Sequence, residues 1–299
     1  MSLPRIGITA GDPAGIGPEI ARKAIADSRV LHVCEPLLYG PQHAFSPGVL
    51  SADAGLAAYE TIVHAVRDAQ AGGIHGIATA PINKEALALA GLPWRGHTEM
   101  LAELTNAASV AMMFWSEKLR VVLATIHIPL ASVPAALTIE SVSGIIELTH
   151  RELPRFGIPR PRLALAGLNP HAGEHGILGH EETDVLEPAV ARCATAGIDI
   201  SGPFPGDTIF LRATRGEFDA VIACYHDQGL IPIKMAAFGQ AVNVTLGLPI
   251  VRTSVDHGTA FDIAGKGIAD PESMVQAVLL AARLAANTGR AASNDRARL

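Results

Sequence analysis

Short runs of apolar residues alternate along the chain with longer segments in which apolar residues recur every three or four positions. The short runs predict strands, and the periodic segments predict helices. The predicted strands cover residues 5–10, 37–39, 76–79, 111–115, 120–125, 163–166 and 220–223. The predicted helices cover residues 17–26, 54–71, 83–90, 98–105, 139–156, 181–196 and 271–286. Because helices separate strands that are apolar throughout, we expect an α/β fold with a largely parallel sheet covered on both faces.

The composition supports a large hydrophobic core. Of 299 residues, 49% are hydrophobic and 17% are charged, which excludes a disordered chain. At roughly 100–200 residues per domain, we expect two domains or one large α/β unit. The formal net charge is −6 and no block of like charges occurs, so a basic surface for nucleic acid is not expected.

Neither the N-terminus nor the cysteines indicate export. Residues 1–15 contain no apolar core of the signal-peptide kind. The three cysteines form no CxxC pair, which predicts buried side chains in a reducing compartment. The longest uncharged stretch, residues 121–139, contains His127, Pro129 and Pro134 and does not predict a membrane span. We therefore expect a soluble, cytoplasmic protein.

A glycine-rich motif, GDPAGIGPE, occupies residues 11–19 between a predicted strand and a predicted helix. Glycines let a ligand approach the backbone closely, and a helix N-terminus attracts anions. The motif matches neither the GxGxxG fingerprint nor a P-loop, because no Lys-Ser/Thr pair follows its last glycine. These residues alone leave two interpretations open, a ligand-binding turn and an ordinary tight βα connection.

Three histidines follow the ends of predicted strands. His127 lies in TIHIPL, His171 in GLNPHAGE and His226 in YHDQGL. Ligands of parallel α/β sheets bind at the carboxyl ends of the strands, and three imidazoles there suit a metal site with open coordination positions. Each histidine alone could be a hydrogen-bonded loop residue, but their equivalent positions favour a metal site.

The remaining histidines outside the motifs described below lack that position and are expected to be surface or core residues. His175 and His180 follow His171 closely, yet the glycines between them predict a loop and not one helical face. These two are therefore not expected to be ligands. The others in this group are His32, His43, His64, His75 and His150.

Polar side chains that could grip an anion follow the third histidine motif. Lys234, Asn243 and Arg252 could together hold a phosphate or a carboxylate. Arg252 lies in the apolar run LGLPIVRTSV, where an unpaired guanidinium is costly, so a structural ion pair is the alternative. The glycines of the following segment, SVDHGTAFDIAGKGIADPES, would let backbone wrap around a flat ligand.

Taken together, these segments resemble the PdxA family, the 4-hydroxythreonine-4-phosphate dehydrogenases and their relatives. The resemblance covers nearly the whole chain. It implies the wider fold of the isocitrate and isopropylmalate dehydrogenases, with two α/β/α domains and a cleft between them. The expected domains are a nucleotide-binding one, residues 1–95 plus 245–299, and a metal-binding, substrate-binding and dimerisation one, residues 96–244. The motifs that carry it are GDPAGIGPE, GHTEML, TIHIPL, GLNPHAGE, GPFPGDT, YHDQGL and NVTLGLPIVRTSVDHGTA.

The resemblance also implies roles for individual residues, and an obligate homodimer in which two subunits build each active site. The implied metal ligands are His127, His171 and His226. The implied substrate contacts are His97, Thr98, Lys234, Asn243 and Arg252. The implied cofactor contacts are Gly11, Asp12, His257, Gly258, Thr259, Ala260 and Asp262. The implied catalytic residues are Lys234, which would assist proton transfer or neutralise charge, and Asp207 and Asp256, whose roles are unassigned.

The implied reaction is the NAD-dependent oxidation of a secondary alcohol on a small phosphorylated hydroxy acid, in the context of pyridoxine biosynthesis. The expected substrate is 4-hydroxythreonine 4-phosphate or a threonate or erythronate phosphate, with decarboxylation of the keto product. A divalent ion (Zn, Co, Mg or Mn) would polarise the hydroxyl, and neutral imidazoles favour Zn or Co. The alternatives are a dehydrogenase of a non-phosphorylated cis-dihydrodiol carboxylate of the terephthalate type and a three-histidine zinc hydrolase. A non-catalytic binding module is least favoured.

Two further expectations rest on the same resemblance. Asp262 occupies the place where NAD-using relatives carry Asp, and a carboxylate there would accept hydrogen bonds from ribose and repel the 2′-phosphate of NADP. The alternative is that Asp262 caps the following turn. The chain also lacks a segment of the longer members between about residues 40 and 57, which bears on specificity more than on chemistry.

Overall fold

The computed structural model of the protein describes residues 3–94 and 96–296, with side-chain surroundings described as far as residue 287. The chain forms two compact units. The first comprises Met1–Val110 and Val242–Leu299, and the second is the continuous segment Ala111–Ala241. Residues 96–110 and 242–244, expected in the second domain, therefore belong to the first unit.

The secondary structure alternates between strands and helices. The strands are β1 (Arg5–Thr9), β2 (Glu35–Tyr39), β3 (Gly76–Thr79), β4 (Ala111–Trp115), β5 (Arg120–Leu123), β6 (Leu163–Ala166), β7 (Ile200–Phe204), β8 (Ala220–Ala223), β9 (Val242–Leu246) and β10 (Arg252–Ser254). The α-helices are α1 (Gly17–Ile25), α2 (Ser28–Val33), α3 (Ala52–Gln70), α4 (Lys84–Leu89), α5 (His97–Thr105), α6 (Val133–Ala136), α7 (Ile139–Glu152), α8 (Glu187–Thr195), α9 (Gly206–Thr214), α10 (His226–Ala237) and α11 (Glu272–Arg296).

The first unit contains strands in the order β2-β1-β3-β10-β9. All its described pairs are parallel except β9 with β10. The adjacent side chains of Ile8 and Thr9 on β1 point to opposite faces of the sheet and are both fully buried, as a strand covered on both faces requires. The long helix α3 begins at a side-chain cap, because the Ser51 hydroxyl accepts a hydrogen bond from the Ala54 amide at 3.1 Å.

The second unit contains strands in the order β4-β5-β8-β6-β7. Here β4 and β5 are antiparallel, whereas β5, β8, β6 and β7 pair in parallel. Its core joins apolar residues of the sheet, such as Val121 and Val221, to Ile209 on α9 and Ile233 on α10. Helix α7 starts with a reciprocal cap in which Thr138 and Ser141 each bind the other's backbone amide.

The expected α/β architecture and largely parallel pairing are confirmed. Three predicted helices differ at one end, among them α11, which continues ten residues beyond the predicted end to Arg296. Helix α7 stops at Glu152 and continues as a 3-10 turn, Leu153–Phe156, and α8 is preceded by a π-helical turn, Glu182–Leu186. Elements that the periodicity did not predict are α2, α6, β7, α9, α10, β9 and β10.

Among the described residues, no single helix is both long and apolar enough to cross a membrane. One pair of successive helices, Leu130–Ala136 and Ile139–Phe156, meets those two criteria jointly and bends by 88° at the break. The three cysteines are buried and form no disulfide, as the sequence predicts.

Candidate active site

The three predicted metal ligands follow three neighbouring parallel strands of the second unit. His127 lies after β5, His226 begins α10 directly after β8, and His171 lies after β6. The order β5-β8-β6 makes these strands adjacent. The carboxyl ends of adjacent parallel strands share one edge of a sheet, which is where α/β folds bind ligands. The placement on which the metal hypothesis rests is therefore present, while metal binding itself stays a prediction.

His127 and His226 lie side by side. Their ring centroids are 5.5 Å apart and their planes are inclined by 46°. His226 Nδ1 is 2.7 Å from Asp227 Oδ1, a contact that fixes the ring and, with Nδ1 protonated, leaves Nε2 to bind a ligand. Carboxylate partners of this kind orient metal-binding histidines in many proteins.

His171 lies in a left-handed turn. Residues 171–175 all have positive φ, from +43° to +77°, and only Gly173 among them is a glycine. The left-handed conformation costs a non-glycine residue about 1–2 kcal/mol, so the surrounding structure must hold four such residues there. The segment is thus a left-handed turn within Pro170–Gly176 and not the loop expected, and no right-handed helical face links His171 to His175.

Two of the three predicted ligands have the spacing that a divalent ion requires. Two imidazoles that ligate one tetrahedral ion have ring centres about 5 Å apart, because each metal–nitrogen bond is about 2 Å long, and His127 and His226 meet that spacing. In the described part of the chain, however, no three His, Cys, Asp or Glu side chains converge closely enough to hold a metal. His171 does not complete the pair within one chain.

An open cavity of about 900 Å³ adjoins His171 on the second unit. Asp207, from the first turn of α9, and Asp227 contribute its polar wall. Exposed apolar side chains of α10, Ile231 and Met235, contribute its apolar wall. Lys234 is half-buried on the same helix. Acidic, imidazole and apolar groups thus meet on one face of this unit.

Arg252, on β10, is buried in the first unit with only 3% of its surface exposed. Its Nη1 donates to Thr245 Oγ1 at 2.9 Å and its Nη2 to Thr79 Oγ1 at 2.7 Å. Its Nε atom is buried without a partner, and burial lowers the pKa of the guanidinium to about 9. No carboxylate of the described residues forms a salt bridge with it, so the alternative of a structural ion pair is not supported.

Two further predicted substrate contacts of the first unit, His97 and Asn243, also have buried polar atoms without partners. His97 begins α5, and burial together with the charge of Arg252 holds its pKa well below the usual range. The His97 ring is partly exposed, yet its Nε2 atom is buried without a hydrogen-bond partner, as is Asn243 Oδ1 on β9. Thr98 follows His97 in the first turn of α5. Buried polar atoms without partners are rare in native proteins and often mark binding sites.

The motif of residues 11–19 forms a tight turn between β1 and α1. A Cβ atom at Gly11, whose φ is +66°, would lie 2.2 Å from the Pro81 carbonyl oxygen, so only glycine fits. Asp12 is buried, which raises its carboxyl pKa, and Oδ1 accepts a hydrogen bond from the Ala14 amide at 2.8 Å. Both residues shape the turn, and cofactor binding by them stays a prediction.

The predicted cofactor loop, residues 257–267, packs against that turn. The Ile16 amide donates to the Thr259 carbonyl at 2.9 Å, in place of a side-chain cap for α1. His257, Gly258 and Asp262 are exposed, and Ala260 has a φ of +42°. Ahead of the loop, Asp256 accepts a hydrogen bond from Ser273 Oγ at 3.1 Å.

The family described as "Pyridoxal phosphate biosynthetic protein PdxA" matches residues 14–281, which is most of the chain. The protein belongs to the PdxA family.

Curated relatives of this PdxA-family chain are similar over nearly their full length. A 4-hydroxythreonine-4-phosphate dehydrogenase from Desulforapulum autotrophicum is 45% identical over 329 aligned positions, covering 96% of this chain and 97% of that protein. A D-threonate 4-phosphate dehydrogenase from Pectobacterium atrosepticum is 42% identical, covering 94% and 99%. The 329 aligned positions outnumber the 299 residues of this chain, so the chain lacks positions that the first of these relatives has.

Solved structures agree with the family and the fold. The crystal structure of 4-hydroxythreonine-4-phosphate dehydrogenase from Klebsiella pneumoniae has a TM-score of 0.85 at 40% identity, covering 94% of this chain and 99% of that one. A terephthalate 1,2-cis-dihydrodiol dehydrogenase from Burkholderia xenovorans has a TM-score of 0.68 at 30% identity, covering 94% and 98%. Isocitrate dehydrogenase from Methylococcus capsulatus, at 0.51 and 19%, covering 93% and 84%, shows the fold alone, which confirms the expected fold class.

Sequence reasoning missed several side chains of this PdxA-family site. Asp227 is given no role in the sequence analysis, although its position next to the candidate ligand His226 is a usable signal. Glu19 and Lys23 were not singled out. Glu19 accepts hydrogen bonds from the backbone amides of Gly267 and Ala269, and Lys23 donates to the backbone carbonyls of the same two residues. The pair thus binds the end of the predicted cofactor loop to α1.

Proposed function

We propose that this PdxA-family protein is an oxidoreductase that oxidises the secondary alcohol of a small phosphorylated hydroxy acid. The observation that carries the proposal is Arg252, a buried guanidinium held by two neutral hydroxyl groups. An anionic group of the substrate would supply the negative charge that the described residues do not. The curated relatives named for 4-hydroxythreonine 4-phosphate and D-threonate 4-phosphate support a phosphate as that group.

The neighbours of Arg252 favour a substrate that also donates hydrogen bonds. Asn243 Oδ1 is a buried acceptor without a donor, and the depressed pKa of His97 keeps its ring neutral and able to accept. A hydroxyl or amino group beside the phosphate would satisfy both atoms. A hydroxylated phosphate ester therefore fits this region better than a bare anion.

His127 and His226 of one chain, with His171 of the partner subunit, would hold a divalent ion, with Zn or Co favoured by the imidazole donors and Mg or Mn as alternatives. When bound, the ion would supply Lewis-acid polarisation of the substrate hydroxyl. Asp227 orients the His226 ring, and Lys234 would move a proton or neutralise developing negative charge. Loss of CO₂ from the keto product belongs to the same proposal.

NAD would serve as the hydride acceptor, and Asp262 would select it over NADP. The exposed carboxylate of Asp262 would repel the 2′-phosphate of NADP. A like-charge contact at about 4 Å costs about 4 kcal/mol before screening, and a third of that gives roughly a tenfold preference. We expect NAD to be preferred about tenfold in kcat/KM, and Asp262→Ser to remove the preference. Equal use of both cofactors by the wild type would contradict the role of Asp262.

A homodimer with shared active sites is part of the proposal. The open cavity beside His171 carries the exposed apolar side chains Leu211, Ile231 and Met235, the last 83% exposed. Apolar patches of this kind are typical of protein interfaces. A second copy covering the patch would also bring a further imidazole to the His127–His226 pair.

The second candidate function is oxidation of a non-phosphorylated cis-dihydrodiol carboxylate. The observation in its favour is the similarity to the terephthalate 1,2-cis-dihydrodiol dehydrogenase, since Arg252 could pair with a carboxylate as well as with a phosphate.

A substrate panel tests these proposals. Purified protein is given NAD with 4-hydroxythreonine 4-phosphate, D-threonate 4-phosphate, D-erythronate 4-phosphate and a cis-dihydrodiol of terephthalate, and NADH and CO₂ are measured. We expect NADH with at least one phosphorylated acid. NADH with the dihydrodiol alone would favour the second candidate, and hydrolysis of a panel compound without NAD would indicate the metal hydrolase.

A further inference from the structure

A buried carboxylate lies beneath the left-handed turn that carries His171. Glu182, the first residue of the π-helical turn Glu182–Leu186, is only 1% exposed. Within the described residues it forms no salt bridge with a lysine, arginine or histidine. A buried carboxylate paired only with neutral donors contributes less to stability than an apolar side chain of similar size can. Its presence here needs a reason other than packing.

Both oxygens of Glu182 face the turn. Oε1 accepts a hydrogen bond from the Asn169 backbone amide at 2.7 Å, and Oε2 accepts one from Asn169 Nδ2 at 2.9 Å. A Cβ atom added at Gly173 would lie 2.6 Å from Oε2, and one added at Gly167 would lie 3.3 Å from Oε1. The carboxylate thus lies against Asn169 itself and against the chain on both sides of it, at Gly167 and Gly173.

Asn169 is the residue from which the left-handed turn departs. Its carbonyl accepts the Ala172 amide at 3.1 Å, and its Nδ2 also donates to Glu181 Oε2 at 2.7 Å. Residues 171–175 then follow with positive φ. Strained backbone of this kind persists only where its surroundings over-determine it. Glu182 supplies two of the contacts that fix its starting point.

We propose that Glu182 is a positioning residue that holds Asn169, and through it the left-handed turn, so that His171 is presented as a metal ligand. This inference rests on the proposed metal site. Glu182 itself is buried and would not touch the metal or the substrate. Its effect would be to reduce the conformational freedom that His171 loses when the metal binds.

The test is the Co²⁺ affinity of the metal-stripped, full-length protein, measured by calorimetry. Glu182→Gln keeps an oxygen for the Asn169 amide, but its NH₂ group cannot accept from Nδ2. Glu182→Ala loses both acceptors. Outer partners of metal ligands typically change affinity roughly 10- to 100-fold. We expect about 10-fold weaker binding for Glu182→Gln and about 100-fold for Glu182→Ala. The matched control is Glu187→Gln, an exposed carboxylate at the start of α8, which should bind Co²⁺ like the wild type.

A double-mutant cycle separates positioning from general stability. Asn169→Ala removes the Nδ2 donor but keeps the backbone amide. If Glu182 acts through Asn169, adding Glu182→Gln to Asn169→Ala should weaken Co²⁺ binding much less than Glu182→Gln does alone. Circular dichroism at the titration temperature checks that each variant is folded. If Glu182→Ala does not fold, the test rests on the cycle of Glu182→Gln and Asn169→Ala.

Two results would overturn the inference. If folded Glu182 variants bind Co²⁺ as tightly as the wild type, with or without a lower melting temperature, Glu182 is only structural. If the wild type itself binds no Co²⁺, the proposed metal site fails, and the positioning role fails with it. The first result leaves the metal site intact, so the two failures are distinguishable.

Discussion

The two predicted binding regions differ in how completely one chain builds them. In the first unit, Arg252 is 3% exposed, and the partnerless atoms of His97 and Asn243 are buried. In the second unit, His127 and His171 are exposed, and the His226 side chain is 33% exposed. The polar atoms around Arg252 lie in the interior of the first unit, whereas the histidines lie at the surface of the second.

This difference follows from the cost of burial. A guanidinium held without a counter-charge destabilises the ligand-free protein. The free energy of folding must therefore exceed this cost before any ligand binds. Exposed imidazoles cost little, but they hold a metal only when further donors or a covering surface fix them. We therefore expect that activity lost by a variant of the first region is not restored by a second chain. In the second region, a second chain can supply the ligand that a variant lacks.

The largest expected effect concerns the histidines. His171→Ala and His226→Ala should each lose bound metal and lower activity by more than about 100-fold, beyond what removal of a ligand's outer partner costs. Metal analysis and steady-state kinetics check this. His175→Ala and His180→Ala serve as matched controls with near-normal metal content. Full metal content in His171→Ala would contradict the assignment.

Mixing two inactive histidine variants tests whether the metal ligands come from two chains. If the His127–His226 pair of one chain is completed by His171 of another, co-refolded His171→Ala and His226→Ala chains should recover about a quarter of wild-type activity, because half the dimers then carry one intact site in two. The His127→Ala and His226→Ala mixture should recover none. No recovery in the first mixture would place all ligands in one chain.

Arg252 gives the next largest effect. Arg252→Met should lower kcat/KM for a phosphorylated substrate by about 30- to 4000-fold, the equivalent of about 2–5 kcal/mol. The same change should leave the free energy of unfolding of the ligand-free protein equal or higher, because a costly buried charge is removed.

Thermal unfolding with and without inorganic phosphate distinguishes binding from structure. Phosphate should raise the melting temperature of the wild type but not of Arg252→Met. A ligand-free variant that melts well below the wild type would indicate that Arg252 is structural. No variant mixture should restore this site, in contrast to the histidines.

The smallest effect is a pH dependence caused by His97. Its pKa lies well below the usual range in the folded protein, whereas the unfolded chain binds a proton near pH 6.5. Below about pH 6.5 the unfolded state therefore takes up a proton that the folded state does not, and stability falls with acidification by at most about 1.4 kcal/mol per pH unit. Urea titrations from pH 7.5 to 5 should show a shallower fall for His97→Gln, and parallel curves would contradict this.

Strand-end reasoning predicted the histidine positions because each follows a short apolar run, and β5, β8 and β6 proved to be neighbours. The same reasoning missed α10, whose sequence contains Gly229 and Pro232. The helix tolerates Gly229 because it packs tightly on the sheet, where a Cβ atom would lie 2.6 Å from Val121. That close approach is a tertiary contact, which local propensity cannot show.

The left-handed turn and its support were also beyond sequence reasoning. PHAGEHG reads as a loop, and nothing local indicates that four non-glycine residues adopt positive φ. Glu182, in a later segment of the chain, binds Asn169 at the start of this turn, and such a distant contact is not visible in the local sequence. Likewise, Arg252 was recognised as costly, but only the fold reveals that its partners are hydroxyl groups.

The division of the chain has a consequence for synthesis on the ribosome. Residues up to Val110 emerge first, yet β3 must wait for β10, which pairs beside it from beyond residue 241. The continuous segment Ala111–Ala241 can complete its own sheet earlier. A nascent chain stalled before β10 would therefore present an unpaired strand edge, a known template for aggregation. Of the two units, the one whose synthesis starts first is thus completed last.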